Sequence, residues 1–148
     1  MKIFTIGHST RSFDEFVDIL KHYRIELLID IRRFPSSKKF PHFNKEFLEK
    51  ELPANGIEYL HYPELGGFRK EGYENFAKTA EFRDALFKLL KIIDNKIVAL
   101  VCAEILWWRC HRRFVSNKLT ELGNEVLHIF NANKIQAHKQ KQNKLKCD

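Results

Sequence analysis

The amino-acid sequence predicts a single three-layer Rossmann-like α/β sandwich on a mostly parallel sheet of about five strands. Three observations carry that class. Short apolar runs recur at 2–6, 27–31, 57–61, 97–102 and 126–130. Stretches with apolar residues at helical spacing separate most of them, which is the alternation of an α/β fold. The first strand, helix and strand also follow so closely that they make a βαβ unit, and such a unit pairs its strands in parallel through a right-handed crossover.

Residues 2–6 form the first β-rich segment, punctuated by Gly7, His8, Ser9 and Thr10. Ser12 stands three residues before Glu15, a capping-box spacing, and Phe13, Phe16, Val17, Leu20 and Tyr23 then mark one face of a helix over 13–23. Residues 27–31 are a strand, apolar except for Asp30. A basic, proline-broken segment follows, with Arg32, Arg33, Lys38 and Lys39. Asn44 is placed to cap a helix ending near Leu52, with Phe43 and Leu48 as a hydrophobic staple. The third strand, 57–61, is more polar and reads as an edge. After the Pro63 to Gly67 loop, Thr79 caps a helix with Phe82, Leu86, Leu89, Leu90 and Ile93 inward. The run at 97–102 is a buried strand; Phe114, Val115, Leu119 and Leu122 stripe the next helix, and Gly123 stops it before the last strand at 126–130. We therefore expect an α/β domain over 1–130 and a polar, basic tail over 131–148.

Composition narrows the function classes. With 148 residues, 44% of them apolar, the chain can bury a core, and no apolar stretch reaches membrane-spanning length. It enters a strand pattern at once without a signal-like segment, so a cytoplasmic location and no membrane partner are expected. Three cysteines, one of them Cys147, make no disulfide framework, and reduced thiols fit that compartment. More than half of the net charge of +7 falls after residue 130, on Lys134, Lys139, Lys141, Lys144 and Lys146 against Asp148. That concentration raises weak nucleic-acid binding through the tail as an expectation, beside simple solubility.

A parallel sheet places the C-terminal ends of its strands on one edge, where ligands of open α/β folds bind. The His8 loop, Arg32 and Arg33, the Glu64 loop and residues 102–112 all issue from such ends. Cys102 is a candidate nucleophile, since a strand end beside arginines favours a thiolate, although a cysteine so placed is more often a small buried hydrophobe. Glu104 and Glu64 are candidate acids or bases, or ion-pair partners of arginine. His8 joins them as a candidate catalytic group, with Ser9 as a hydroxyl that holds a ligand or satisfies the turn. Arg32, Arg109 and Arg112 suit phosphate or carboxylate, Trp108 can stack on a ring, and His111 completes the ligand-binding set. Cys102, Cys110 and His111 match no zinc-knuckle spacing and have cationic neighbours, so no metal is expected, and a Cys102 and Cys110 redox pair stays open. No cofactor is indicated.

The segments TIGHSTRS at 5–12, LLIDIRRFPSS at 27–37, FN at 43–44, YPELGG at 62–67, and VCAE followed by WRCHRR within 101–113 resemble the family catalogued as domain of unknown function 488. The resemblance covers about residues 3–130 and implies a compact Rossmann-like domain without bringing a substrate or a reaction. It marks Gly7, His8, Ser9, Asp30, Arg32, Pro35, Phe43, Asn44, Glu64, Leu65, Gly66, Cys102, Glu104, Arg109, Cys110, His111 and Arg112. Between Glu104 and Arg109 this chain carries apolar residues where relatives often have polar ones, which suggests a pocket wall or a contact between two copies in a homodimer. The expectation is an enzyme or small-ligand-binding domain acting on a nucleotide, nucleoside or other phosphorylated anion. The alternative is a non-catalytic nucleic-acid-associated or regulatory module.

Overall fold

The computed structural model describes residues 1–139. Strand β1 (Lys2–Gly7) leads to α1 (Phe13–His22), β2 (Leu27–Asp30), α2 (Lys45–Ala54), β3 (Glu58–His61), the short α3 (Tyr73–Phe76), α4 (Ala80–Ile93), β4 (Val98–Cys102), α5 (Arg112–Glu121), β5 (Glu125–Asn131) and β6 (Lys134–Ala137). The sheet order is β3-β2-β4-β1-β5-β6, parallel throughout except for β6, which runs antiparallel to β5. The expected α/β sandwich is present, with six strands where about five were expected.

Strands β1 to β5 feed both layers by alternation. Ile3, Leu27, Ile29, Val98 and Leu100 pack with Phe82, Leu86 and Leu89 of α4 and Val115 and Leu119 of α5. Phe4, Ile6, Leu28, Ala99 and Val101 pack with Phe16, Val17 and Leu20 of α1 and Leu48 and Leu52 of α2. Because β4 is apolar on both faces, its five residues are all buried at the centre of the sheet. The polar β3 takes the edge, as its composition requires.

Local signals act mostly as read. The Ser12 hydroxyl accepts from the Glu15 amide at 3.0 Å, and Thr79 accepts from the Phe82 amide at 3.2 Å. Asn44 departs from expectation: its side-chain oxygen accepts from the Ser37 amide at 2.6 Å instead of capping α2, and so ties down the basic loop. Part of the stretch read as tail carries regular structure. Asn131 turns the chain by accepting from the Asn133 amide at 2.7 Å, and Lys134–Ala137 adds the exposed sixth strand. Of the tail lysines, Lys141, Lys144 and Lys146 lie outside the described residues. No helix of the described residues is long and apolar enough to cross a membrane.

The chain leaves β1 toward the α1 layer and leaves the adjacent β4 toward the α5 layer. A crevice opens where neighbouring strands send their connections to opposite faces. That crevice lies between His8 and Cys102.

Candidate active site

The ladders of the sheet continue past the strand ends and fix the loops there. The His8 amide donates to the Cys102 carbonyl at 2.8 Å, and the Ser9 amide donates to the Ala103 carbonyl at 3.0 Å. Ser9 adopts φ of 50°, a left-handed conformation uncommon for a residue with a side chain. Gly7 makes the approach possible: a Cβ built on it would stand 2.1 Å from the Glu104 carbonyl oxygen. A side chain would therefore push the 104–105 backbone off the strand end. Gly66 serves similarly on the other side, where a Cβ would lie 2.7 Å from the Arg33 backbone.

A cavity of about 710 Å³ results. Its walls include His8, Ser9, Arg32, Cys102, Glu104, Arg109, Cys110 and His111, so eight residues read from the sequence as site or redox candidates meet there. Arg33, Phe34, Ser36, Ser37, Phe40, Phe68 and Tyr73 line it as well. Phe34 and Phe68 are 66% and 83% exposed, with ring centroids 5.9 Å apart, so the mouth carries an aromatic rim.

On the β2 side the groups are already committed. Arg32 donates to Asp30 through Nε at 2.8 Å and Nη2 at 2.6 Å, and Nη2 also reaches the Phe43 carbonyl at 2.6 Å. The Tyr59 hydroxyl donates to the same carboxylate at 2.5 Å. Burial works against the Arg32 charge, but the Asp30 carboxylate more than restores it and leaves its pKa raised. His8 is stacked on Phe43; Nδ1 donates to the Ser9 carbonyl at 2.9 Å and Nε2 accepts from Arg32 at 3.2 Å. Burial, with the neighbouring Arg32 charge, lowers its pKa to about 4. Both His8 nitrogens and most of the Arg32 fork therefore have partners within the protein.

The β4 and α5 side is different. Cys102 is 1% exposed, and its Sγ lies 2.7 Å from Sγ of Cys110. Cys110 sits just before α5, where its sulfur accepts from the Arg112 amide at 3.4 Å and lies 3.5 Å from His111 Nδ1. His111 Nε2 donates to the Ile31 carbonyl at 2.9 Å, which orients the ring and leaves Nδ1 toward the sulfur. The pair shares its protons unequally. Burial pushes the Cys102 thiol up, whereas the hydrogen bond from Cys102, aided by His111 and Arg112, brings Cys110 down to about 4. The amides of a helix start and nearby cationic side chains are the standard means of holding a thiolate. These contacts favour the anion on Cys110 over Cys102.

Arg112 stands behind this wall, 1% exposed. It donates to the Thr5 hydroxyl at 2.9 Å, to the Glu104 carbonyl at 2.6 Å and to the Ile105 carbonyl at 3.3 Å. Its Nε has no partner among the described residues. Thr5 lies 2.6 Å from His128 Nδ1, His128 Nε2 lies 2.9 Å from His138 Nδ1, and His138 Nε2 lies 2.7 Å from Asn117 Oδ1. With Thr5 and Arg112 at one end, protons in this chain all point toward Asn117. Burial lowers His128 to about 2 and His138 to about 4, so both rings are neutral links. Trp107 closes the chain by stacking on His128 at 4.5 Å and donating to Gln136 at 3.0 Å.

Three predicted residues stay outside the cavity wall. Glu64 faces Lys88 of α4 at 3.8 Å, so the two candidate carboxylates do not oppose each other across the cleft. Trp108 is 44% exposed and forms no part of the lining, and Arg112 acts from behind it. Glu104 remains in the wall, with Oε1 accepting from the Leu106 amide at 3.2 Å. Arg109 is exposed and has no side-chain hydrogen bond or ion pair among the described residues. No three histidine, cysteine, aspartate or glutamate side chains converge as metal ligands among the described residues. Sequence reasoning treated Cys110 as mainly a packing residue and passed over Thr5, Tyr59, Tyr73 and His138. Thr5 and His128 did leave a signal: each is a polar residue inside an apolar strand, and the register sets them side by side.

The layers, the parallel sheet and the strand-end cleft define a Rossmann-like α/β domain with a cysteine and histidine site. The family described as domain of unknown function DUF488 matches residues 12–119, and the chain belongs to that family. Among curated proteins and solved structures, none matches the chain.

Proposed function

We propose that the domain is a cysteine-dependent enzyme acting on a small anionic compound, of the nucleotide, nucleoside or other phosphorylated class, bound in the strand-end cleft. The observation that carries this reading is Cys110 Sγ in the cavity wall, with the Arg112 amide at 3.4 Å and His111 Nδ1 at 3.5 Å. A thiolate held by a helix start, beside a base whose other nitrogen is anchored, is the arrangement of an activated nucleophile. In this reading His111 Nδ1 takes the Cys110 proton, Cys110 Sγ bonds to an electrophilic atom of the substrate, the leaving group departs with the electron pair, and the same proton passes to it from His111 Nδ1. Arg109 and Arg33 supply positive charge for the anionic part, and the rim of Phe34, Phe40, Phe68 and Tyr73 suits a planar ring. Cys110 replaces Cys102 as the nucleophile because its sulfur has the helix-start amide and the histidine.

The test is protection. A panel of nucleotides, nucleosides and phosphorylated aromatic compounds is added, and alkylation of Cys110 by iodoacetamide is followed by mass spectrometry. A compound of the right class slows Cys110 alkylation, raises the melting temperature and is turned over by the native chain but not by C110A. If none of the panel protects Cys110, the reading fails.

A further inference from the structure

The nucleophile reading needs one sulfur, and the cavity wall holds two. Cys102 ends the central strand and is fixed by the ladder, while Cys110 is fixed by the start of α5; the fold delivers them to a separation of 2.7 Å from eight residues apart. That distance is roughly 0.7 Å longer than a disulfide bond. Both sulfurs line the cavity, and both cysteines are free. They differ in exposure: Cys110 is partly exposed and Cys102 is buried behind it. This is the division between an attacking and a resolving thiol.

We infer that Cys102 and Cys110 form a dithiol–disulfide couple that exchanges with low-molecular-weight disulfides admitted to the cleft. Cys110 attacks one sulfur of the incoming disulfide; that S–S bond breaks, a mixed disulfide forms on Cys110, and the first small thiolate leaves and takes up a proton. Cys102 then gives up its proton, attacks Cys110 Sγ and displaces the second small thiol. The two cysteines are oxidised by two electrons, and the small disulfide is reduced to two thiols. The Arg112 charge and the Arg112 amide favour the anionic sulfur at each stage. The inference goes beyond the proposed function, since chemistry at an electrophilic carbon or phosphorus leaves Cys102 unchanged.

The experiment uses the full chain carrying C147S, so that the third thiol cannot compete. Incubation with oxidised glutathione is expected to remove two hydrogens from the chain and to join the Cys102 and Cys110 peptides, and dithiothreitol is expected to reverse both. With C102A added, the chain is expected to stop at one glutathione on Cys110. A C147S chain that keeps both thiols, or that accumulates a stable glutathione on Cys110 with Cys102 free, overturns the inference. The readout needs no substrate, so a failed ligand panel with a closed disulfide counts against the proposed function alone, and the reverse outcome counts against the couple alone.

Discussion

Arg32 and Arg112 are both buried guanidinium groups at the same edge of the sheet, and what answers their charge differs. Arg32 meets Asp30 in a two-pronged pair with Tyr59 on the same carboxylate, and the cluster is locally neutral. Arg112 meets only a hydroxyl and two carbonyls, and no carboxylate pairs with it among the described residues. A neutralised pair holds loops together, whereas an unanswered buried charge acts on whatever ionises nearby. Near Arg112 that is Cys110. In the proposed reading the cleft therefore has a structural half at β2 and a reactive half at β4 and α5.

Gly7→Ala tests the reactive half most severely. A Cβ at 2.1 Å from the Glu104 carbonyl oxygen cannot be accommodated without moving the backbone that accepts from Arg112. We expect a loss on the order of 4 kcal/mol, read from urea unfolding. A loss below about 1 kcal/mol would show that the 104–105 loop yields freely and that Arg112 does not depend on it.

The two arginines themselves come next. Arg32→Met strands the buried Asp30 carboxylate and should cost about 3–5 kcal/mol. Arg112→Met leaves the Glu104 carbonyl without its closest donor, at roughly 1–3 kcal/mol, while Thr5 keeps His128 as a partner and an unanswered charge is removed. Its net cost should therefore be the smaller of the two. The reactivity of Cys110 should move the other way. Arg112→Met raises the pKa of that thiol, seen in the pH profile of alkylation, and Arg32→Met leaves the profile in place. If both substitutions shift the profile equally, the division of the cleft is wrong.

Acid unfolding sharpens the comparison, because both halves bury neutral histidines. His8 lies against Arg32, and His128 and His138 lie in the chain from Arg112. Their folded pKa values, about 4, 2 and 4, are below the ordinary histidine value of 6.5. Between those limits the unfolded chain binds more protons, so stability is fully present above pH 6.5 and is lost as pH falls toward 4. Each histidine contributes a slope of roughly 1.4 kcal/mol per pH unit in that window. His8→Asn and His138→Asn should each flatten the urea-unfolding slope by about one such increment. An unchanged slope in either variant would mean that the ring is protonated in the folded chain.

The fold was legible because hydrophobic periodicity and short loops report directly on layers and parallel pairing. Strand β6 was not legible: all four of its residues are exposed, so no buried face marks the sequence. Parallel topology places His8, Arg32, Cys102 and Glu104 on one edge, but which of them meet depends on strand order, and the structure settles that by setting β4 between β2 and β1. What sequence could not rank was commitment. His8 and Arg32 look available as letters, and three-dimensional contact alone reveals that Asp30, Phe43 and Ser9 have occupied them. Cys110 was undervalued for the opposite reason. Its neighbours in sequence are bulky and cationic, and spacing does not show that the loop brings it back to Cys102 at the end of β4.

Glu64 and Glu104 give the smallest effects and the cleanest contrast. As sequence they are equivalent, each an acid in a loop after a strand. The fold turns Glu64 to an exposed ion pair with Lys88 and keeps Glu104 in the cavity wall. Glu64→Gln should change stability by less than about 0.5 kcal/mol, since exposed pairs contribute little. Glu104→Gln should also be nearly neutral, within about 1 kcal/mol, because the amide oxygen can still accept from the Leu106 amide. Ligand measurements separate them. Removing the Glu104 charge takes a negative group out of the cleft and should tighten binding of an anionic compound, whereas Glu64→Gln should leave binding as it was. If the two variants bind such a compound alike, Glu104 does not face the ligand, and the reactive half of the cleft contracts to the two sulfurs, His111 and the arginine behind them.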